Sequence, residues 1–378
     1  MALIFWISLT ALTYTYAVYP LGIWLLAIIR TRKIKKSPYR PSVSIVLACY
    51  NEASRLEARL KNLLESDYPN DLFEIVISID GATDETEAIA RRFESSKCRV
   101  VSRLERVGKA SALNAGVRAA NGEVLVFTDA RQRFEPEAIT HLVSNFGDES
   151  VGAVSGELFI TPASSGNASE GVGLYWKYDK WIRKSEGRFD SAVGATGAIF
   201  AVRRALWRPL PDSTILDDVY TPMSIALQGY RVVFEEQARA YDVAAASAAQ
   251  EFKRKARTLM GNYQLCQLMP RLMMPTYRLW AQFFSHKLMR LATPLFMMFL
   301  LASNAVLAAR NANTLYLTSA GAQLVFYVSV ILGSRPSGQK PKIRIFNTAY
   351  MFSVMNAAAL VGLFYFIRGK RDVWVRTK

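Results

Sequence analysis

From Ala2 to Ile29 the chain carries no charged residue, and that one run constrains the rest of the molecule. It is longer than the roughly 20 residues needed to cross a bilayer core. A cleaved signal peptide is the alternative, but no basic segment precedes the run and no small-residue cleavage site ends it, so it reads as a retained anchor. Arg30, Arg32, Lys33, Lys35, Lys36 and Arg40 come directly after it. Basic residues at a span end stay on the cytoplasmic side, which places the N-terminus outside and the residues beyond Arg40 in the cytoplasm. Apolar runs at Leu291–Ala309, Leu315–Gly333 and Phe346–Ile367 predict three further spans, in keeping with a chain that is 51% hydrophobic.

A net charge of +16 would suit a nucleic-acid partner, but its distribution does not. Residues 41–248 hold 23 Lys/Arg against 29 Asp/Glu, while the flanks hold the other 24 Lys/Arg and two acids, Glu251 and Asp372. A nucleic-acid enzyme carries its basic stripe on the folded domain. Here the cations border apolar runs, where they meet anionic lipid head groups. Gln250–Arg290 mixes basic, aromatic and Met residues with Pro270 and Pro275, the pattern of helices lying in the membrane interface. Lys253, Arg254 and Lys255 are its natural lipid-facing cations. The three cysteines, Cys49, Cys98 and Cys266, lack metal spacing and read as buried free thiols of a reducing compartment. Four regions result: a membrane anchor with its basic stop (1–40), a cytoplasmic central domain (41–248), interfacial helices (249–290) and a transmembrane region (291–378).

The central region alternates strand and helix. SVSIVLACYNE (Ser42–Glu52) is a strand entering a helix near Ala53, and FEIVISIDGATDET (Phe73–Thr86) is a strand ending at Asp80. RVVS, the helix GKASALNAGVRAAN and the strand EVLVF continue the pattern, and Phe134-Glu135-Pro136 is read as opening another helix. Such alternation predicts a mostly parallel sheet covered on both faces, with ligands at the carboxyl ends of its strands. Tyr50, Asn51, Glu52, Asp80, Lys109 and Asp129 fall on that edge. Each alone has an ordinary structural reading; their concentration on one edge marks a site. Two phosphate motifs are absent. Gly108-Lys109 lacks the P-loop glycine, its place being taken by Arg103, and no Gly-x-Gly-x-x-Gly follows the first strand. His141, within EAITHLV, reads as a partly buried helix residue.

VSIVLACYNE, ISIDGATDET, GKASALNAG, VFTDA, TGAIFAVRR, ILDDVYTPMSIALQGYRVVF and RKARTLMGN occur in this order. The set resembles membrane-bound family-2 glycosyltransferases, the inverting GT-A enzymes that include the synthases of cellulose, chitin, hyaluronan and poly-N-acetylglucosamine. The resemblance runs from about Pro41 to Tyr263 and extends to the arrangement of one span before the domain and three after it. It implies a nucleotide-sugar donor, with Ala48, Tyr50 and Glu52 lining the nucleotide pocket and Asp80 accepting a hydrogen bond from the base, usually uracil. Lys109 would lie near the diphosphate and Gly197 at the sugar site. Asp217 and Asp218 match an acidic pair whose second member is the general base, and Arg257 matches the arginine of a Gln-x-x-Arg-Trp motif. Asp84 has two readings, a family acid and a helix cap.

Asp129 matches the first acid of an Asp-x-Asp metal motif, but Arg131 stands where the second would be. Magnesium or manganese leans on one or two carboxylates plus substrate phosphates, so Asp129 with the donor diphosphate is a workable set. Asp242 is a further candidate ligand, and Arg131 is read as facing the phosphates. Thr258 and Arg254 replace the motif's Trp and Gln, which leaves two readings of the product: a sugar placed on a glycan or lipid-linked acceptor, and a polymer extended processively. A nucleotidyltransferase and a non-catalytic membrane scaffold are the other classes. The former has no need of interfacial helices and the latter none of Asp218.

The same rule that orients the anchor meets a conflict at the other end. A full crossing by Phe346–Ile367 keeps the loop Gly333–Arg344 inside but exports a tail bearing Arg368, Lys370, Arg371, Arg376 and Lys378. The run is uncharged and of spanning length, so a crossing is expected. A single cysteine at Thr377, in a background lacking the native three, should react with an impermeant thiol reagent in intact cells. Labelling only after permeabilisation would place the tail inside.

Overall fold

The structure, a computed structural model, describes residues 1–161, 168–243, 248–310, 313–335 and 344–369. Two compact units form: one comprises Met1–Leu26, Pro162–Ile182 and Ala244–Lys378, the other Ala27–Thr161 and Arg183–Val243. A helix, Ala168–Phe189, begins in the first and ends in the second.

The second unit is built on eight strands: β1 (Val43–Cys49), β2 (Phe73–Asp80), β3 (Cys98–Arg103), β4 (Val124–Thr128), β5 (Arg133–Phe134), β6 (Val151–Thr161), β7 (Phe200–Arg203) and β8 (Arg231–Val243). They make one sheet in the order β3-β2-β1-β4-β7-β6-β8-β5. β1, β2, β3 and β4 are mutually parallel, and β6 runs parallel to β8. β7 is antiparallel to both its neighbours and β5 to β8. β1, β2 and β4 are mostly apolar because both their faces are covered: Ile45, Leu47, Ile75, Ile77, Ile79 and Val126 have no exposed surface. Helix Ala53–Leu64 turns Leu56, Leu60 and Leu63 onto the sheet, the spacing of an amphipathic helix. Arg133–Phe134 pairs with β8 instead of opening a helix, and the helix expected there starts at Ala138. Backbone pairing satisfies these N–H groups where the sequence offered no apolar periodicity.

The register of β7 on β4 shapes the ligand edge. Phe200 pairs with Phe127, so the residues just before Phe200 meet the carboxyl end of β4. The rings of Phe200 and Trp207 stack on Phe127, with centroids 4.8 and 5.0 Å away. Of the basic residues after the anchor, Arg32 and Lys36 are paired with Asp190 and Glu235 of this unit; lipid contact is not their whole role.

In the first unit, four helices among the described residues are long and apolar enough to cross a membrane: Ala2–Ile29, Trp280–Arg310, Thr314–Gly333 and Ile345–Ile367. The second of these begins well before Leu291. Its backbone continues through a wider turn at Phe284–Leu288 and past Pro294, so residues from Trp280 onward are continuous with the helix that carries Leu291–Ala309. Its His286 and Arg290 both reach Asp179, at 3.1 and 2.6 Å. An ionisable group in such a helix needs a partner. Helix Ala248–Leu268 packs against Arg344–Ile367 at Gly362, where a Cβ would stand 2.8 Å from the Ala256 carbonyl oxygen. Small residues permit this closeness between helices. Of the three cations expected to face lipid, Lys253 is exposed. Arg254 pairs with Glu251, and Lys255 lies over the rings of Tyr175 and Trp176. Cys49 and Cys98 are buried as expected, and Cys266 is only partly so. The tail from Lys370 and most of the loop before Arg344 lie outside the described residues.

Phe127 holds the β4–β7 register and is 1% exposed. Phe127→Ala should cost about 3–5 kcal/mol through the cavity it opens. A thermal transition of the purified variant close to that of the wild type would refute this.

Candidate active site

Because β1, β2 and β4 run the same way, Cys49, Asp80 and Thr128 end on one edge, and the residues that come after them face a common space. After β1 the chain turns through Asn51, whose φ of 54° is left-handed. Asn tolerates this. Its Oδ1 accepts from the Thr83 N–H at 2.8 Å and its Nδ2 donates to Thr83 Oγ1 at 3.0 Å, tying the β1 and β2 loops together. Tyr50 beside it lies under the Arg106 guanidinium, 4.3 Å from the ring centroid. Burial lifts the Glu52 carboxyl above its ordinary range; Arg55 opposes the shift and Asp129 adds to it. Ala48, next to Cys49, is half-buried.

Asp80 does more than face a ligand. Its Oδ1 accepts from the Val107 N–H at 3.0 Å and its Oδ2 from the Gly108 N–H at 2.7 Å. One buried carboxylate thus fixes the loop that leads into helix Lys109–Ala119. Both ends of that clasp use glycine. Gly108 has φ 128°, and at Gly81, φ 62°, a Cβ would come within 2.5 Å of the Arg106 nitrogen. Asp84 bridges the starts of two helices: its Oδ1 accepts from Thr86 and its Oδ2 from the Ala53 N–H.

Lys109 then enters between two acids. Its Nζ is 2.9 Å from Asp129 Oδ1 and 3.2 Å from Asp217 Oδ2. Burial works against the ammonium, but Asp129 and Asp217 outweigh it and hold the lysine above its ordinary range, with Asp218 adding to the effect. Asp217 and Asp218 open helix Asp217–Leu227, whose N-terminus favours negative charge. Asp218 points elsewhere: its Oδ2 accepts from the Gly197 N–H at 3.1 Å, and a Cβ on Gly197 would meet that same oxygen at 3.0 Å. Behind Gly197, the Thr196 N–H donates to Ser155 Oγ at 3.0 Å and Arg183 donates to Thr196 Oγ1 at 2.8 Å. The turn is held from two sides.

Arg131 and Asp242 are partners: Arg131 Nε is 3.1 Å from Asp242 Oδ2, which also accepts from Gln132 Nε2 at 3.1 Å. The Arg131 guanidinium also acts to lower the Glu52 carboxyl. His141 is a partly exposed helix residue beside Glu137, as expected. Arg257 is half-buried on helix Ala248–Leu268 of the other unit. Sequence reading missed Arg59. It is 2% exposed, donates to Thr128 Oγ1 at 2.7 Å, and lies over the Phe134 ring beneath the Asp129 turn. The signal was there: Arg59 interrupts the apolar stripe of its helix beside Leu56, Leu60 and Leu63.

Asp129 and Asp217 converge on one cation position, at present the ammonium of Lys109. No group of three or more His, Cys, Asp or Glu able to hold a metal occurs among the described residues. A hard divalent ion fits this donor set only with further oxygens from a phosphate and water. Asp80→Asn should cost about 1–3 kcal/mol, because its amide NH₂ would face an N–H it cannot accept from. The expected readout is a lowered thermal transition of the purified variant. A wild-type transition would show the clasp to be dispensable.

Residues 44–208 match the family described as Glycosyl transferase family 2. The Poly-beta-1,6-N-acetyl-D-glucosamine synthase of Staphylococcus aureus (strain COL) is 27% identical over 232 residues, which take in 59% of this chain and 55% of the synthase. The chain thus matches little more than half of that relative's length. The Probable glycosyltransferase YdaM of Bacillus subtilis (strain 168) is 26% identical over 270 residues, 68% of this chain and 62% of that one. Among solved structures, the mannosyltransferase PcManGT from Pyrobaculum calidifontis, in complex with GDP-Man and Mn2+, has a TM-score of 0.73 at 22% identity, covering 97% of this chain and 99% of its own. The family match spans the strands that carry Asp80, Asp129 and Gly197 to one edge, the fold is of GT-A type, and residues 44–208 are similar to the family-2 glycosyltransferases.

Proposed function

We propose that the enzyme moves a sugar, with inversion, from a nucleotide-sugar to a glycan or lipid-linked acceptor at the cytoplasmic face of a membrane, in the synthesis of a surface polysaccharide or glycolipid. The observation that carries this reading is the placement of Asp218. It sits at a helix N-terminus with one oxygen held by the Gly197 N–H, beside the enclosed Lys109–Asp129–Asp217 group.

In this reading Asp218 takes the proton of the attacking hydroxyl, a role worth roughly 10²- to 10⁴-fold in rate. A single base and direct displacement give inversion. Tyr50, with Arg106 over its ring, and the loop clasped by Asp80 hold the nucleotide; a uracil base would use the remaining lone pairs of Asp80. Lys109 and Arg257 serve the diphosphate, where charge develops as the nucleotide leaves. Mg²⁺ or Mn²⁺, held by Asp129 and the donor phosphates, would supply further positive charge there. The basic residues that flank the apolar helices favour the cytoplasmic placement of the catalytic unit.

A processive polymerase is the second reading, favoured by the likeness to the N-acetylglucosamine polymer synthase. Against it, Thr258 stands where the synthase motif has Trp, and its hydroxyl bonds back to the Arg254 carbonyl at 3.0 Å, which leaves no aromatic platform at that point.

Purified enzyme should release nucleoside diphosphate from one member of a panel of UDP- and GDP-sugars, and lose this activity in excess chelator. Asp218→Asn should lower transfer by roughly 10²- to 10⁴-fold with donor binding retained. Near-normal turnover in that variant would remove Asp218 as the base. The chain length of the product separates single transfer from polymerisation.

A further inference from the structure

The cation between Asp129 and Asp217 belongs to the protein. Lys109 Nζ contacts both carboxylates, and the three side chains are 15%, 33% and 9% exposed. The ammonium is thus shared by both carboxylates while no donor is present. A divalent ion approaching Asp129 would come within a few ångströms of that ammonium, where little water screens the repulsion.

The backbone cannot resolve the conflict. Asp80 holds the N–H groups of Val107 and Gly108, and Lys109 is the first residue of its helix. What can move is the four-carbon arm of the lysine, a flexible stem ending in a compact charge. We propose that Lys109 is the resident counter-ion of the metal position, so that a divalent ion gains Asp129 only together with the donor diphosphate, onto which the ammonium swings. This rests on the reading of Asp129 as the metal ligand. It makes metal and donor binding strongly coupled, each raising the affinity for the other by the same factor.

The test is Mn²⁺ binding to the full-length protein in detergent, monitored by electron paramagnetic resonance, first without nucleotide and then with UDP. Without nucleotide, Lys109→Met should bind Mn²⁺ at least about tenfold more tightly than the wild type, because a competing cation has gone. Lys109→Gln, which keeps a hydrogen-bond donor without the charge, should show the same tightening if the Met variant fails to fold. Lys109→Arg, which keeps the charge, should remain weak. UDP should raise Mn²⁺ affinity in the wild type far more than in the neutral variants. Unchanged or weaker Mn²⁺ binding in both neutral variants would overturn the proposal. Wild-type Mn²⁺ binding by Asp129→Ala in the presence of UDP would instead overturn the metal reading on which it rests.

Discussion

Parallel strand direction is the constraint on which this site depends. A strand has two ends, and in β1, β2 and β4 the same end is shared, so loops separated by dozens of residues open onto one edge. The reversal of β7 then does something a further parallel strand could not. It delivers the turn before Phe200 to that edge, and with it the Gly197 N–H that orients Asp218. Asp218 is therefore placed by a backbone amide, a group that substitution of side chains leaves intact, and the absence of a side chain at Gly197 is what lets the carboxylate approach.

Charge in enclosed surroundings is handled by one rule throughout the molecule. Acids at the ligand edge are answered locally: Asp129 and Asp217 by Lys109, and Asp242 by Arg131. Among the apolar helices, Asp179 is answered by Arg290 and His286. The first of these arrangements differs from the rest because Asp80 holds the backbone N–H groups of the two residues just ahead of its cation.

Much of this was legible in the sequence, for physical reasons. Short, largely apolar and β-branched runs such as Val43–Cys49 suit strands covered on both faces, and uncharged stretches such as Ala2–Ile29 are satisfied by lipid or a large core. Asp80, Lys109 and Asp129 announce themselves because polar residues directly after such strands have one edge to occupy. Pairing between side chains was not legible. That Arg131 turns to Asp242, that Asp80 spends both oxygens on backbone amides, and that Arg59 lies under Thr128 depend on distances across the fold which spacing along the chain does not encode. The start of this helix at Trp280 was hidden for a different reason: His286, Lys287 and Arg290 dilute its hydropathy, and His286 and Arg290 are paired there with Asp179, far off in sequence.

The two buried thiols give the catalytic unit a chemical clock. Cys49 is the last residue of β1, paired with Ile79 at the ligand edge, whereas Cys98 begins β3 beside Ile75 near the other end of the same strand. Both are almost wholly enclosed, and burial pushes both thiols up, so neither offers reactive thiolate while the sheet is closed. Partial opening of the ligand edge would release one thiol and spare the other, while collapse of the whole sheet would release both together. Alkylation timed against mass would then read, without any introduced label, whether the edge breathes as a separate part or the sheet yields as one.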